Sequence, residues 1–248
     1  MNVSCIILAH NEEAAIGESI LSCKALSPVE ILVIDDDSTD ETVSRSLFHG
    51  AKVIQHKKKD FAEARNFAGD KARGEWLLYL DADERLTEEL AAEIKLKTAA
   101  ENIPVYKIPR INYYLGRKWP KQEKIIRLFK KTALSEWYGE IHESARVKGE
   151  IGELTHGIVH YTHKNLSEMV DNTLVWSEIE ANLRLATGHP PVTWWRIPRV
   201  MTTTFFDYYV FQNGWRIGTV GLIESMYQAF STFITYARLW EMQQKKHI

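Results

Sequence analysis

The first hundred residues alternate between short apolar runs and stretches with helical spacing. VSCIILA (3–9), EILVID (30–35), AKVIQ (51–55) and EWLLYL (75–80) read as strands. Helical patterns run from Glu12 to about Ala25, from Ser38 to about His49, and through FAEARNFAGDKA (61–72), where Phe61, Ala64, Phe67 and Ala68 share a face. Ser38 and Glu41 fit a capping box, Gly50 and Gly74 fit helix stops, and Thr87 fits the cap of a helix through Ala100. Repeated strand–helix–strand units predict a parallel sheet with right-handed crossovers. Such sheets bind ligands at the carboxyl ends of their strands. The segments just past those ends are AHNEE, DDDSTD and DADER, so three polar clusters are expected on one edge.

From 104 to about 161 the apolar pattern shortens and alternates, as in VYKIPRINYYL and EKIIRLFKK, and predicts an antiparallel extension of the same domain. Helical spacing then returns from Leu166 to about Ala186, from Val192 to about Gln212, and from Gly218 onward. The expected division is a catalytic domain over 1–165 and a helical region over 166–248. That region is rich in aromatics, with Trp194, Trp195, Phe211, Trp215 and Trp240 interleaved with Arg196, Arg199, Arg216 and Arg238. Two readings fit: amphipathic helices resting in a membrane interface, or a helical subdomain packed on the sheet or on a second subunit in a homodimer.

Composition narrows the field modestly. The 248 residues are 45% hydrophobic and 26% charged, an ordinary globular balance. A net charge of -2 offers no global basic field, so no nucleic-acid partner is expected and a polyanionic ligand must be met locally. Cys5 and Cys23 lack zinc-site spacing and read as buried thiols of a reducing compartment. The chain opens without a basic n-region, which predicts no signal peptide, and holds no apolar run long enough to span a bilayer. The expected location is cytoplasmic.

Asp81 and Asp83 stand two apart at a strand end, where both side chains can point to one side. Two hard oxygen donors suit Mg2+ or Mn2+, which keep waters and share substrate phosphates. A charged turn ahead of a capped helix explains the same residues. Arg65 offers a second positive charge for a diphosphate, or a surface ion pair. Among Asp35, Asp36 and Asp37, one carboxylate could accept the imide N–H of a uracil; a solvated turn is the alternative.

Taken in order, VSCIILAHNEEAAIGESI, VEILVIDDDSTDET and FAEARNFAGDKARGEWLLYLDADE resemble the family 2 glycosyltransferases of the GT-A fold. The resemblance covers roughly residues 2 to 165. The block Gly139–Glu143 and the aromatic tail are similar to those of bacterial lipopolysaccharide inner-core glucosyltransferases. The implied fold is an α/β, Rossmann-like mixed sheet with flanking helices and a C-terminal helical, aromatic-rich extension. The resemblance implies that Ala9, His10, Asn11 and Glu12 line a nucleoside pocket and that Asp35 or Asp36 reads the uracil. Arg65 would sit by the diphosphate, and Asp81 and Asp83 would bind the metal, Asp83 directly. Asp37 departs from the family, which commonly has Gly there. The base would be Glu143 or, second, Glu140, with His142 orienting it or binding donor. His160 and His163 would supply a late imidazole to the metal or diphosphate.

The implied activity is inverting, metal-dependent transfer of a hexose, glucose from UDP-glucose, to a lipid-linked core glycan at the inner face of the bacterial inner membrane. Two rivals stand beside it. Sugar nucleotidyltransferases share a related fold, but follow their first strand with a Gly-rich, Arg-containing loop where this chain has LAHNEE. A degenerate transferase kept as a scaffold would be expected to lose a metal carboxylate, and both are present.

Overall fold

The computed structural model describes residues 2–100, 102–139, 143–163 and 165–245. Glu140 and His142 lie outside the described residues. The chain forms two compact units: Met1–Ile111 with Gln122–His160, and Asn112–Lys121 with Tyr161–Ile248.

In the first unit, β1 (Val3–Ala9), β2 (Glu30–Asp35), β3 (Lys52–Gln55) and β4 (Trp76–Asp81) alternate with α1 (Ile16–Cys23), α2 (Thr42–Phe48) and α3 (Phe61–Lys71). β5 (Glu84–Leu86) and α4 (Glu88–Ala100) follow, then β6 (Val105–Tyr114), β7 (Arg117–Lys118), which falls in the second unit, β8 (Glu123–Lys130), β9 (Leu134–Tyr138), β10 (Ser144–Val147), β11 (Ile151–Glu153) and β12 (Ile158–His163). One sheet runs β3-β2-β1-β4-β8-β6-β12-β5, with β11 and β7 also paired to β6; β9 and β10 form a separate ribbon. β1 pairs in parallel with both β2 and β4, as the alternating pattern predicts. The later strands are mostly antiparallel, but β11 joins β6 in parallel, so the extension is mixed.

The inner strands are covered on both faces, and their side chains divide by the period of two. Val3, Cys5 and Ile7 pack with Ile16 and Ile20 of α1 and Leu90 and Ile94 of α4. Ile6, with Leu77 and Tyr79 of β4, packs with Ala62 and Ala68 of α3 on the opposite face. Cys5 and Cys23 are free and buried.

Two helix starts differ from expectation. α1 begins at Ile16 rather than Glu12, because Asn11 takes a left-handed turn (φ +54) and the Ala15 and Ile16 N–H groups both donate to the Glu12 carbonyl. Ser38 and Glu41 make no capping box. α2 starts at Thr42, and Asp40 accepts the Thr42 N–H at 2.9 Å while Ser38 serves the neighbouring loop. Thr87 does cap α4, accepting the Leu90 N–H at 3.1 Å. Asp60 caps α3, its side chain accepting from the Glu63 N–H.

The second unit holds α5 (Leu166–Ala186), α6 (Arg196–Phe206) and α7 (Thr219–Lys245). α5 occupies the expected span. The helix expected from Val192 to Gln212 is shorter: Pro190 and Pro191 precede it, α6 ends at Phe206, and a π turn over Asp207–Phe211 closes with the Gln212 N–H on the Asp207 carbonyl. A Cβ on Gly221 would lie 1.8 Å from the Gly214 carbonyl oxygen, so α7 requires glycine there. Among the described residues, no helix is long and apolar enough to cross a membrane.

Candidate active site

Strand register gathers the three polar clusters. Ala9 pairs with Asp35 and Leu8 with Asp81, so the carboxyl ends of β2, β1 and β4 form one edge. The loops after β1 and β2 are stitched to each other. The Asn11 N–H donates to the Ser38 hydroxyl (2.9 Å), and the Thr39 N–H donates to the Asn11 side-chain carbonyl (2.8 Å). The Glu12 N–H donates to the Thr42 hydroxyl (2.7 Å), and the His10 Nδ1–H donates to the Asp36 carbonyl. His10, Asn11 and Glu12 therefore build the wall of this edge, with Ala9 buried behind them.

The three adjacent aspartates have three different environments. Asp35 is fully buried; one oxygen accepts the Ser38 N–H at 3.2 Å, and the other is buried with no hydrogen-bond partner. Asp36 accepts the Lys58 N–H at 3.0 Å and pairs with the Lys58 ammonium. Burial would raise the Asp36 pKa, but the Lys58 contacts outweigh it and hold the carboxyl below its ordinary value. Asp37 sits in the left-handed region (φ +51), a conformation that glycine takes without steric cost. Its departure from glycine is thus a departure at a turn that favours glycine.

At the end of β4, Arg65 organises the acids. Its side chain is only 1% exposed; Nη2 donates to Asp81 at 2.8 Å and to Glu143 at 2.9 Å, and Nε donates to Glu143 at 3.0 Å. The guanidinium lies 5.1 Å from the Trp137 ring centroid. Arg127 of β8 donates to the other Asp81 oxygen at 2.8 Å. Burial favours a neutral Asp81, yet Arg127 and Arg65 overcome it and keep its carboxyl far below the usual carboxylate range. Glu84 shows the opposite balance: fully buried and near Asp81, its carboxyl is pushed up.

Asp83 points elsewhere. β5 pairs with β12 so that Glu84 faces His160, and this register brings His160 Nε2 to 3.2 Å from the Asp83 carboxylate. Burial works against a charged His160 ring, but the Asp83 hydrogen bond and charge raise its pKa above the ordinary imidazole value. His163 has another partner: its Nδ1 meets the buried Glu224 at 2.9 Å in the second unit. The predicted residues therefore fall into separate groups. Asp83 stands with His160, and Asp81 with Arg65 and Glu143.

Sequence reading did not single out Arg127, Lys58 or Asn66. The Asn66 side chain pins α3 to β9, donating to the Trp137 carbonyl (2.8 Å) and accepting the Trp137 N–H (2.7 Å). The available signal was the adjacency of Asn66 to Arg65. For Arg127, a lone arginine in an alternating strand carries none.

Among the described residues, no three His, Cys, Asp or Glu side chains converge as a ready metal cage. A carboxylate suits a hard divalent cation that keeps waters and shares phosphate oxygens, and a neutral imidazole adds a ligand that a first-row ion such as Mn2+ takes more readily than Mg2+. Asp83 and His160 fit that role. Asp81, with both oxygens on arginines, fits the role of an anchor.

Comparison with known proteins gives a consistent result. The family model described as glycosyl transferase family 2 matches residues 4–148. An uncharacterized glycosyltransferase of Rickettsia typhi is 30% identical, over 98% of this chain and 88% of its own. The lipopolysaccharide core biosynthesis glycosyltransferase LpsC of Rhizobium meliloti is 25% identical, over 96% and 92%. Among solved structures, S. aureus TarS 1-349 in complex with UDP-GlcNAc is similar with a TM-score of 0.51 at 15% identity, over 99% of this chain and 92% of that one. Mannosyl-3-phosphoglycerate synthase from Rubrobacter xylanophilus is similar with a TM-score of 0.50 at 16% identity, over 78% and 77%. The fold is the mixed α/β GT-A arrangement.

Proposed function

This chain belongs to glycosyl transferase family 2, and on that premise we propose that it is an inverting, divalent-metal-dependent hexosyltransferase. The donor is a UDP-sugar, with UDP-glucose the first candidate, and the acceptor is a lipid-linked core glycan at the inner face of the bacterial inner membrane. The observation that carries the reading is the Asp83–His160 pair on the carboxyl edge of the sheet, beside an Asp81 immobilised by two arginines.

Each role is supported by the following observations. Asp35 has a buried oxygen without a partner, which suits the imide N–H of a uracil. Asp83 and His160 would hold Mg2+ or Mn2+, whose chemistry when bound is to neutralise charge on the diphosphate leaving group. Arg65 holds the Glu143 carboxylate and the Asp81 carboxylate at fixed positions, and so acts as a positioning residue. Glu143 takes the acceptor hydroxyl proton as that oxygen bonds to the anomeric carbon and the bond to the diphosphate breaks. Glu140 is the second candidate for this base. The 25% identity with LpsC over nearly the whole chain supports a lipopolysaccharide core acceptor.

The test is a transfer assay beside donor binding. Glu143→Gln is expected to lose transfer while keeping donor affinity. Loss of transfer in Glu140→Gln, with Glu143→Gln active, would assign the base to Glu140.

A further inference from the structure

The second unit carries a surface that the transfer chemistry does not use. None of the eleven residues of α6 is buried, nor any of the five in the π turn that follows. One side of α6 rests on α7, where the Thr204 and Thr232 hydroxyls meet at 3.3 Å. The other side presents Trp195, Arg199, Thr202, Thr203, Phe206 and Val210, all exposed, at intervals that align them along the helix. Trp194, 84% exposed, precedes this stripe and Phe211, 74% exposed, follows it. The threonines add little polarity, because Thr202 donates to the Pro198 carbonyl (2.7 Å) and Thr203 to the Arg199 carbonyl (3.0 Å). Their hydroxyls are satisfied within the helix and need no water.

Charge decides what such a surface fits. Between Gly188 and Ile223 the charged residues are Arg196, Arg199, Arg216 and a single carboxylate, Asp207. Asp207 accepts the Gln212 amide at 2.7 Å. Arg199 lies 5.7 Å from the Trp195 ring centroid, and Arg216 lies 5.3 Å from that of Trp215, so each cation is held beside an exposed indole. Pairing this segment with its copy would set three arginines against three arginines, with one carboxylate from each chain. An anionic bilayer instead offers phosphates to the arginines and an acyl boundary to the aromatics.

We propose that α6 and the turns flanking it dock on the surface of an anionic lipid bilayer, with Trp194, Phe206 and Phe211 entering the acyl boundary and Arg196, Arg199 and Arg216 meeting lipid phosphates. The test is flotation of the full chain with vesicles of phosphatidylglycerol and phosphatidylethanolamine, beside vesicles of phosphatidylcholine alone. The chain is expected to float with the anionic vesicles and to release in high salt. The Trp194→Ser/Phe211→Ser variant is expected to bind about tenfold more weakly with an unchanged melting temperature. Arg199→Gln/Arg216→Gln is expected to lose the preference for anionic lipid by about an order of magnitude. Two results would overturn the proposal: equal partitioning of the Trp194→Ser/Phe211→Ser variant and the parent, or no flotation of the parent. If the parent stays off vesicles and is a dimer that this same variant splits, the surface belongs to a second copy. Partitioning is read without donor or transfer, so failure here leaves the catalytic reading standing.

Discussion

His160 Nε2 lies 3.2 Å from the Asp83 carboxylate, across 77 positions of sequence. Strand pairing between β5 and β12 creates this neighbour relation. If the pair holds the divalent cation, Asp83→Ala and His160→Ala should each lower metal-dependent transfer by about 100-fold or more, since a lost ligand weakens both affinity and leaving-group stabilisation. Asp83 is 25% exposed, so Asp83→Ala should move the melting temperature little, whereas His160, 14% exposed and bonded to Asp83, should lose some stability as alanine. Transfer assays across a manganese titration, run beside thermal unfolding, check this.

The same pair sets a pH dependence. The His160 pKa is raised, because the Asp83 contact outweighs burial. Its contribution to stability is therefore fully present below the unfolded imidazole value of about 6.5 and is lost as pH rises through the folded value. Metal binding runs the opposite way, since a ligating imidazole must be neutral. Manganese affinity should fall as pH drops through the folded His160 value, and His160→Ala should flatten that profile. Calorimetric titration at several pH values reads it directly.

Arg65 should matter for stability before it matters for turnover. Arg65→Ala would leave Asp81 with Arg127 alone and Glu143 without its guanidinium. Breaking a buried ion-pair cluster on one side costs about 3–5 kcal/mol. Arg65→Lys keeps the charge but not the fork that reaches both carboxylates, and should recover only part of the loss. Urea denaturation of the three proteins ranks them.

The edge that carries this candidate site is legible in the sequence, and its side-chain partners are not, for identifiable reasons. The apolar runs ending at Ala9, Asp35 and Asp81 announced the carboxyl edge, because parallel strands buried on both faces read as continuous apolar runs. The partners of Arg65 were not legible: Asp81 is 16 positions away and Glu143 is 78, and only tertiary packing brings them to one guanidinium. A diphosphate role for Arg65 was the natural expectation for a cation near an acidic turn, and its burial under two carboxylates came from α3 packing on the sheet. His160 and His163 looked equivalent in HYTH, yet one meets Asp83 and the other Glu224, because strand residues three apart point to opposite faces. Ser38 failed as a cap because the loop after β1 supplied it with a different donor.

Asp37 offers a test of backbone strain. At φ +51 a β-branched residue is disfavoured by about 1–2 kcal/mol, whereas glycine fits freely. Asp37→Val should destabilise by roughly that amount. Asp37→Gly should be tolerated, since the Lys57 contact at 3.8 Å is exposed and contributes little. Thermal unfolding of both variants gives the comparison.

Asp83 and His160 are expected to make donor binding depend on a divalent cation. Calorimetric titration with a panel of nucleotide sugars, with and without Mn2+, tests it most directly. A UDP-sugar, UDP-glucose first, is expected to bind in the presence of Mn2+ and to lose most of its affinity without it, and His160→Ala is expected to lose the metal-dependent part. Equal affinity with and without the metal, or an unaltered metal effect in His160→Ala, would contradict it.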